Sequence, residues 1–272
     1  MYIDGSLGGG GHTWEILKKG GKVLGIDVDD EALAFVTNER LKNSDYQSGK
    51  DIILEKGNFE KITEIAKANG FTQVSGILLD LGVSSHQFDA SERGFSFQDG
   101  PLDMRMGDHL TVSAKDLVNG LTEKELVSLF ERLGEERFAK KIAKVIVEKR
   151  YEKPFETTRE LADLIKASVF RSDHDIHPAT RIFQALRIAV NDELNVLRVA
   201  LPDCIELLKP GGRLAVISFH SLEDRIVKHA FQEFESNGLG TILTKKPLQA
   251  TNEEVLHNNR ARSAKLRVFE KK

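Results

Sequence analysis

The sequence predicts an α/β protein with an open, mostly parallel β-sheet into which an all-helical domain is inserted. Three observations lead to this prediction. Short apolar runs that end in acidic or polar residues alternate with helical segments, as in doubly wound sheets. The first of these runs leads into four consecutive glycines and then into a helix. Over residues 109–175 only helical periodicity remains, so we predict one domain from residues 1–108 and 176–272 and an inserted domain from residues 109–175.

The glycine turn is the first candidate site. The first predicted strand ends at Asp4, and Gly8 to Gly11 follow it. Bare glycine amides can approach a ligand closely and adopt positive φ, so we expect a ligand-binding turn. A glycine-rich hairpin without a ligand is the alternative. The glycine spacing fits neither a dinucleotide fingerprint nor a P-loop. The pattern Asp4-x-Ser6-x-Gly8-x-Gly10 instead resembles the first motif of class I S-adenosylmethionine (SAM) methyltransferases, with Ser6 at the usual position of the first glycine.

The next two strands end in residues that suit such a cofactor. Asp27 closes the second strand, residues 22–27, where a carboxylate is expected to hold ribose hydroxyls. The third strand, residues 51–56, leads to Phe59. We expect Phe59 either to lie against an adenine ring or to be a core aromatic at the start of the next helix, and the sequence alone favours neither.

A nearly continuous apolar run, residues 74–80, predicts a central strand that is buried on both faces. Asp80 ends this strand, and the polar loop after it contains Ser84 and Ser85. Parallel strands bind ligands at their carboxyl ends, so we expect Asp80 to lie in a reactive site. A helix cap is the alternative.

Residues 89–108 have neither helical nor strand periodicity, and an irregular stretch of this length is usually functional or mobile. Phe95 and Phe97 lie beside Arg93 and Arg105 in it. These side chains predict a surface that stacks on bases and contacts phosphates. The alternative is that the aromatic residues only anchor the loop.

The predicted helical domain contains a basic segment. Between Arg132 and Lys153 the sequence has eight basic and four acidic residues. Phe138, Ile142 and Val145 with Ile146 predict one buried stripe, and most of the basic side chains lie off it. A solvated helix face is the commonest meaning of such a run, but its position within an enzyme-like sheet favours a surface that faces RNA.

The last part of the chain returns to the α/β pattern. Apolar spacing predicts a helix over residues 180–197 that Pro202 ends or restarts, with Cys204 in the core. A turn at residues 209–212 and a strand at 213–219 follow. His220 comes next, at the same sheet edge as Asp80, which makes it a candidate to face substrate. The pattern from Ser221 to Asp224 predicts a helix start, and residues 264–269 alternate as a half-exposed edge strand does.

Composition limits the classes of protein. No apolar run approaches the ~20 residues of a membrane span, and no signal peptide is visible, so we expect a cytoplasmic protein that does not enter a membrane. The one cysteine excludes internal disulfides and cysteine metal clusters, and we predict no metal site. The net charge of −3 means that any contact with nucleic acid must come from local patches.

Seven segments that together cover almost the whole chain carry a family resemblance. They are Asp4 to His12, Ile77 to Gln87 (ILLDLGVSSHQ), Glu92 to Met106 (ERGFSFQDGPLDMRM), Gly134 to Ile142 (GEERFAKKI), His177 to Glu193 (HPATRIFQALRIAVNDE), Gly211 to Lys228 (GGRLAVISFHSLEDRIVK) and Asn259 to Arg267 (NRARSAKLR). In these segments the chain resembles the bacterial 16S ribosomal RNA cytosine-N4 methyltransferases, the RsmH or MraW family.

The resemblance implies a class I, Rossmann-like SAM methyltransferase with a mostly parallel seven-stranded sheet and an inserted helical domain. It also implies SAM as methyl donor and a cytidine in the decoding centre of 16S ribosomal RNA, within the small ribosomal subunit, as substrate. Carried over by position, the SAM-binding residues are Gly10, Gly11, His12, Asp27, Phe59, Asp80 and Gln87. Two departures stand out. Family members usually carry a further N-terminal segment, so we expect part of the cofactor lid to be absent, and His86 stands where proline is common.

The chemistry of a cytosine amine suggests the catalytic candidates. The N4 lone pair is delocalised into the ring, so a hydrogen-bond acceptor from the loop between Asp80 and Ser85 would orient it and take up developing positive charge. The candidates are Asp80, Ser84, Ser85 and His220. Methylation at ring carbon C5 would need a cysteine nucleophile, and Cys204 lies outside every motif.

Other functions remain open at this point. The chain could be a SAM methyltransferase that acts on another RNA, a protein or a small molecule, and an enzyme for a protein or a small molecule would not need the basic insert. A non-catalytic RNA-binding assembly factor would keep the basic surface but transfer no methyl group. The sequence is compatible with a monomer or a homodimer.

Overall fold

The computed structural model describes residues 1–169 and 177–272, with only the backbone of Ser85 and His86. Residues 170–176, which include the end of the predicted helical domain, lie outside the described residues. In the described ranges, no helix is long and apolar enough to cross a membrane.

The chain forms two compact units. The first comprises residues 1–82 and 194–272, and the second comprises residues 83–193. The second unit is therefore longer than the predicted insertion of residues 109–175. The reason is a shared core: Phe95 from the irregular stretch and Ile182 from the helix after the gap belong to the same buried cluster as the helices between them.

The first unit is built on one mostly parallel sheet, as predicted, but the described residues form eight strands and not the seven that the resemblance implies, because the two-residue strand β7 also pairs with β8. The strands are β1 (Tyr2–Asp4), β2 (Val23–Asp27), β3 (Ile52–Lys56), β4 (Val74–Asp80), β5 (Leu208–Ser218), β6 (Gly240–Ile242), β7 (Leu248–Gln249) and β8 (Lys265–Lys271). Their order is β3-β2-β1-β4-β5-β8-β6, with β7 paired to β8. The first five strands pair in parallel and β8 pairs antiparallel. The strand order reverses between β1 and β4, which is where open sheets bind ligands.

Helices cover the rest of the described chain. They are α1 (Gly11–Lys18), α2 (Asp30–Phe35), α3 (Ile62–Ala68), α4 (Ser85–Asp89), α5 (Ala114–Gly120), α6 (Glu123–Gly134), α7 (Ala139–Glu152), α8 (Thr158–Ser168), α9 (Thr180–Asn191), α10 (Glu193–Leu207), α11 (Ser221–Ser236) and α12 (Asn252–His257). A π-helix, Val36–Leu41, continues α2, and short 3₁₀ turns cover Phe59–Lys61, Ser91–Arg93 and Asn259–Ser263.

The predicted helix over residues 180–197 is two helices, α9 and α10. Asp192 breaks them apart with a left-handed backbone, φ 48°, a conformation that aspartate tolerates better than most residues. Pro202, in contrast, neither ends nor restarts a helix but lies inside α10, so that prediction was wrong. Because proline has no backbone N–H, the carbonyl of Arg198, four residues earlier, lacks its helical hydrogen bond. Arg198 is exposed, so water can donate to this carbonyl. Cys204 is fully buried, as predicted.

Two features of the C-terminal strands differ from the sequence predictions. The predicted turn at residues 209–212 lies within β5, where Gly211 has φ 74° and the register with β4 shifts. The predicted edge strand, β8, is an interior strand instead, because β5 pairs on one side and β6 with β7 on the other. Phe269 of β8 is fully buried among the aromatic residues of α11.

The second unit is a helical assembly with its own hydrophobic core. Capping boxes begin α5, α6 and α8, with Ser113, Thr122 and Thr157 as the N-caps. Each capping side chain accepts a hydrogen bond from the first helical turn, which fixes where the helix starts. The stripe predicted in α7 is confirmed at Ile142 and Ile146, which are fully buried, while Val145 is only partly buried.

The irregular stretch of the second unit is held by its own contacts. Phe95 is 6% exposed and belongs to the core. Phe97 stacks on His177 with ring centroids 4.4 Å apart. The guanidinium of Arg93 donates to the Met106 carbonyl at 3.1 Å, and Arg105 is engaged with a neighbouring carboxylate. The alternative interpretation, aromatic residues that anchor the loop, therefore describes Phe95 and Phe97 better than a free stacking surface.

Candidate functional site

The candidate site lies at the carboxyl ends of β1, β2 and β4 in the first unit. The glycine turn leads from β1 into α1, with left-handed backbone at Gly8 (φ 48°) and Gly10 (φ 72°). Gly10 is the N-cap of α1 and offers no side chain to the first turn. A Cβ added at Gly11 would meet nothing within 4 Å, so packing within the protein does not require glycine there. These features leave open backbone amides at a helix N-terminus, which is a suitable environment for a carboxylate or another anion.

Asp4 anchors the turn from beneath. It is 1% exposed, and its Oδ2 accepts a hydrogen bond from the Thr13 hydroxyl at 2.7 Å. Its Oδ1 accepts from the Ser6 amide at 3.3 Å. Burial raises the pKa of Asp4, and the Thr13 hydrogen bond opposes the rise. Asp4 therefore ties the start of α1 to the end of β1 and has no need to touch a ligand.

Asp27 lies at the end of β2, where the sequence predicts a ribose-binding carboxylate. Its Oδ2 accepts from the Gly8 amide at 2.7 Å, and its Oδ1 accepts from the Asp29 amide at 3.0 Å. Burial raises its pKa to about 6. A carboxylate has about four acceptor positions, so both oxygens keep capacity for hydroxyl donors. The contact with Gly8 also holds the glycine turn against the end of β2.

Asp80 and His12 meet at the same edge. Asp80 Oδ2 lies 3.4 Å from His12 Nε2, and the Asp80 amide donates to the Ser6 hydroxyl at 2.6 Å. The hydrogen bond to Asp80 raises the pKa of His12. Asp80 Oδ1 is buried and accepts no hydrogen bond from the described residues. His12 is half exposed, so the pair faces the outside of the first unit.

Phe59 lies beside the turn after β1. Its Cβ is 3.5 Å from the position that a Cβ on Gly5 would occupy. The side chain packs partly against the main core and remains partly exposed. Both interpretations of Phe59 are thus compatible with the structure, since one part of the ring contacts the core and another part remains available.

His220 has a structural role that the sequence assigned to its neighbour. It is the N-cap of α11, in place of the predicted Ser221, and its side chain accepts from the Glu223 amide while the Glu223 carboxylate accepts from the amides of residues 219 and 220. The His220 side chain is only 9% exposed. Contact between His220 and a substrate stays a prediction.

The predicted catalytic and binding residues of the loop after β4 belong to the second unit. The Ser84 amide donates to Gln87 Oε1 at 3.0 Å, and the Gln87 amide donates to Ser84 Oγ at 3.2 Å. These reciprocal bonds start α4. Gln87 is 5% exposed, and the side chain of Ser85 lies outside the described residues.

Two residues beside the glycine turn were not given a role by the sequence. The side chain of Ser6 was noted only as a replacement for glycine, although its hydroxyl reaches β4. Phe35 was placed in the helix after Asp29, yet its ring is 40% exposed and lies 3.8 Å from a Cβ added at Gly9. The apolar periodicity of the segment around Phe35 does not indicate that the ring is exposed beside the glycine turn, because the exposure of the ring depends on how α2 packs.

Three exposed lysines and one exposed tyrosine in the second unit form a separate candidate surface, which we call the α7 face. It consists of Lys140, Lys141, Lys144 and Tyr151, which lie on the solvent side of α7 opposite Ile142 and Ile146. Lys140 and Lys141 make no ion pair with the described residues, and Lys144 is 3.8 Å from Glu148. Tyr151 is 84% exposed. The basic C-terminal residues behave differently, since Arg267 is buried and paired with Asp224 at 2.7 Å.

Comparison with known proteins gives a consistent result. The family model described as the MraW methylase family matches residues 1–272. The chain is 48% identical over 274 residues to a Coprothermobacter proteolyticus protein named ribosomal RNA small subunit methyltransferase H, with 100% of this chain and 89% of that protein covered. It is 46% identical over 292 residues to a Syntrophobacter fumaroxidans protein of the same name, with 100% and 90% covered. Among solved structures, an rRNA methylase from Streptococcus thermophilus aligns with a TM-score of 0.45 at 12% identity, over 99% of this chain and 85% of that one.

Proposed function

Because the chain belongs to the MraW methylase family, we propose that it transfers a methyl group from SAM to the exocyclic N4 amine of a cytidine in the decoding centre of 16S ribosomal RNA. It is a SAM-dependent methyltransferase. The observation that carries the finer proposal is the match of the family over the whole chain together with the site at the ends of β1, β2 and β4. A ribosomal substrate would place the enzyme in the cytoplasm. We propose that the enzyme acts as a monomer or a homodimer.

The residues at this edge fit SAM. The open amide at Gly11, at the start of α1, suits the methionine carboxylate, and Asp27 suits the ribose hydroxyls. The Gly10 amide donates to the Leu7 carbonyl at 2.7 Å, so Gly10 would serve through its bare, left-handed backbone. Phe59 would lie against the adenine ring. His12 and Asp80 complete the site, with Gln87 as the remaining predicted SAM-binding residue.

When bound, SAM supplies an electrophilic methyl group, and the protein mainly has to place the nucleophile in line with it. The N4 lone pair would form the new bond to the methyl carbon as the carbon–sulfur bond breaks and S-adenosylhomocysteine leaves, and N4 would then release one proton to solvent. Asp80 would accept a hydrogen bond from N4 and stabilise the positive charge as it develops. Ser84 and Ser85 are proposed to orient the amine, and His220 is proposed to contact the substrate.

Cys204 argues against the alternative chemistry at ring carbon C5. That reaction needs a thiolate close to the base. The Cys204 side chain is fully buried in α10, and burial raises the pKa of its thiol. The thiol is therefore neither accessible nor ionised at neutral pH.

We propose that the second unit recognises the RNA substrate through the α7 face. Lysines without an intramolecular ion pair are free to neutralise phosphates, and each one that does so adds to the salt dependence of binding. The ring of Tyr151 makes no aromatic contact with the described residues and offers a platform for an unstacked base. The target cytidine must leave its stack to reach a pocket, so neighbouring bases need such a platform.

A mass analysis of nucleosides tests the proposed reaction. Small ribosomal subunits that lack the modification are incubated with SAM and the protein, and their RNA is digested and analysed. We expect N4-methylcytidine in 16S RNA, and none with the Asp27→Ala variant. Methyl groups on C5, on another base or on a ribosomal protein would contradict the proposal. Binding of RNA without any transfer would favour a non-catalytic assembly factor.

The RNA surface is tested with matched charge changes. Replacing Lys140, Lys141 and Lys144 by glutamine should make the negative slope of log K against log salt shallower by about 2, at ~0.7 per phosphate contact. The same change at three exposed lysines of the first unit, Lys42, Lys50 and Lys67, should leave the slope unchanged.

The contribution of the aromatic ring is tested separately. Tyr151→Ala should weaken RNA binding by about 5- to 150-fold, the usual value of one base stack, while Tyr151→Phe should retain it. If RNA binding is unchanged in all these variants, the α7 face does not bind RNA and has another function. SAM affinity should be unaffected in every variant of this surface.

A further inference from the structure

The side chain of Ser6 joins two strands beyond the end of their regular pairing. β1 and β4 pair in parallel up to Asp4, and the Gly5 amide still donates to the Leu78 carbonyl at 2.9 Å. The next contact between the two segments uses a side chain, because the Asp80 amide donates to the Ser6 hydroxyl at 2.6 Å. A glycine at position 6, as in the usual methyltransferase motif, would remove the acceptor for this amide.

The Asp80 carboxylate has few other contacts that define its position. Its Oδ2 meets His12, and its Oδ1 is buried without a hydrogen bond from the described residues. The orientation of the carboxylate therefore depends mainly on the backbone from which it projects. β5 holds that backbone on one side, where Asp80 pairs with Ile217, and Ser6 holds it on the side of β1. Ser6 is itself held because its amide donates to the buried Asp4 carboxylate.

We propose that Ser6 is a positioning residue for the SAM site, and that its hydroxyl holds the end of β4 where the Asp80 carboxylate meets His12. This inference rests on the proposed function, because it takes Asp80 and His12 as part of that site. Ser6 acts through Asp80 and has no need to touch the cofactor. The residue that departs from the usual glycine motif thus replaces a missing backbone hydrogen bond between the two central strands.

The ionisation of His12 reports the geometry directly in the protein without ligand. Asp80 raises the pKa of His12 through a hydrogen bond and its charge, burial opposes the rise, and Asp4 adds to it. Asp4 keeps its bond from Thr13 when Ser6 is changed. A shift of the Asp80 carboxylate should therefore lower the pKa of His12, whereas a general loosening elsewhere should not.

The experiment is a titration of the histidine resonances by NMR in the Ser6→Ala, Ser6→Gly and Ser6→Thr variants, with the His12 signal assigned from His12→Gln. We expect alanine and glycine to lower the pKa of His12 and threonine to preserve it. Asp80→Asn should also lower the pKa of His12, which establishes that this pKa responds to the Asp80 carboxylate. Ser75→Ala removes a hydroxyl near the start of β4 and should change nothing.

Binding of S-adenosylhomocysteine by calorimetry gives the second measurement. Ser6→Ala should weaken it about tenfold, the value of about one hydrogen bond, while Ser6→Thr should bind as the parent does. An unchanged pKa of His12 in Ser6→Ala would overturn the inference even if methyl transfer fails. Loss of methyl transfer in the parent protein would instead count against the proposed function, because the His12 measurement needs neither RNA nor SAM.

Discussion

The proposed ribose-binding role of Asp27 gives the sharpest test of the site. In Asp27→Ala, two hydroxyl hydrogen bonds to a charged acceptor are lost, each worth about 1.5–3 kcal/mol. The same substitution frees the Gly8 amide, which Asp27 holds at 2.7 Å, so the glycine turn also loses an anchor. We expect the dissociation constant for S-adenosylhomocysteine to rise by at least about 100-fold. The dissociation constant of Asp27→Asn should lie between those of the parent and Asp27→Ala, because the single amide oxygen of asparagine cannot accept from both the Gly8 and Asp29 amides.

Isothermal titration calorimetry measures this directly. Asp30→Asn is the matched control, since Asp30 is an exposed carboxylate three residues further on that pairs with Lys56 on the outside of the sheet. Its affinity should equal that of the parent. If Asp27→Ala binds as tightly as the parent, the cofactor does not contact the end of β2, and the assignment of the whole edge is mistaken.

Three further predictions follow from the structure. SAM binding that requires ionised Asp27 should weaken as pH falls through about 6, by about tenfold at pH 5; Asp27→Asn should lose this dependence, which calorimetry across pH 5 to 8 checks. Arg267→Ala should lower the thermal midpoint, because the largely buried Asp224 loses its two hydrogen bonds from Arg267 and keeps the longer contact with Lys265 at 3.7 Å. Burial by itself would raise the pKa of Asp224, but Arg267 together with Lys265 holds it below the ordinary value, so the stability from these contacts should be lost as pH falls through that lowered pKa. Cys204→Ala should keep methyl transfer in a labelled-SAM assay, and the parent thiol should react slowly with a thiol reagent.

Local patterns predicted the parallel sheet well. The apolar run that ends at Asp80 and the acidic end of β2 are features of single strands, and their order along the chain fixes the carboxyl edge at which they meet. The glycine turn was predictable for the same reason, because positive φ at Gly8 and Gly10 is encoded in the residues themselves. These features depend on sequence neighbours and on the general rules of parallel sheets.

Features that depend on distant partners were not predictable. The alternation in residues 264–269 is the same for an edge strand and for an interior one, and only the pairing with β5 and β6 distinguishes them. The neighbouring Arg93 and Arg105 suggested that the loop aromatic Phe95 belongs to a stacking surface, with a loop anchor as the alternative, and local sequence could not decide because the burial of Phe95 comes from the helices of the second unit. The extent of that unit was underestimated for the same reason.

The electrostatics of the edge explain why it suits a cationic methyl donor. Asp4, Asp27 and Asp80 stand at or near the ends of three strands, β1, β2 and β4. Burial raises the pKa of Asp4 and Asp27, which means that their negative charge is costly until donors satisfy it. Backbone amides at Ser6, Gly8 and Asp29 pay part of that cost. We therefore expect a ligand that brings hydroxyl donors and a positive charge to favour the ionised form of Asp27, and we expect the neutral product to bind less tightly than the cationic donor, which calorimetry with both ligands measures.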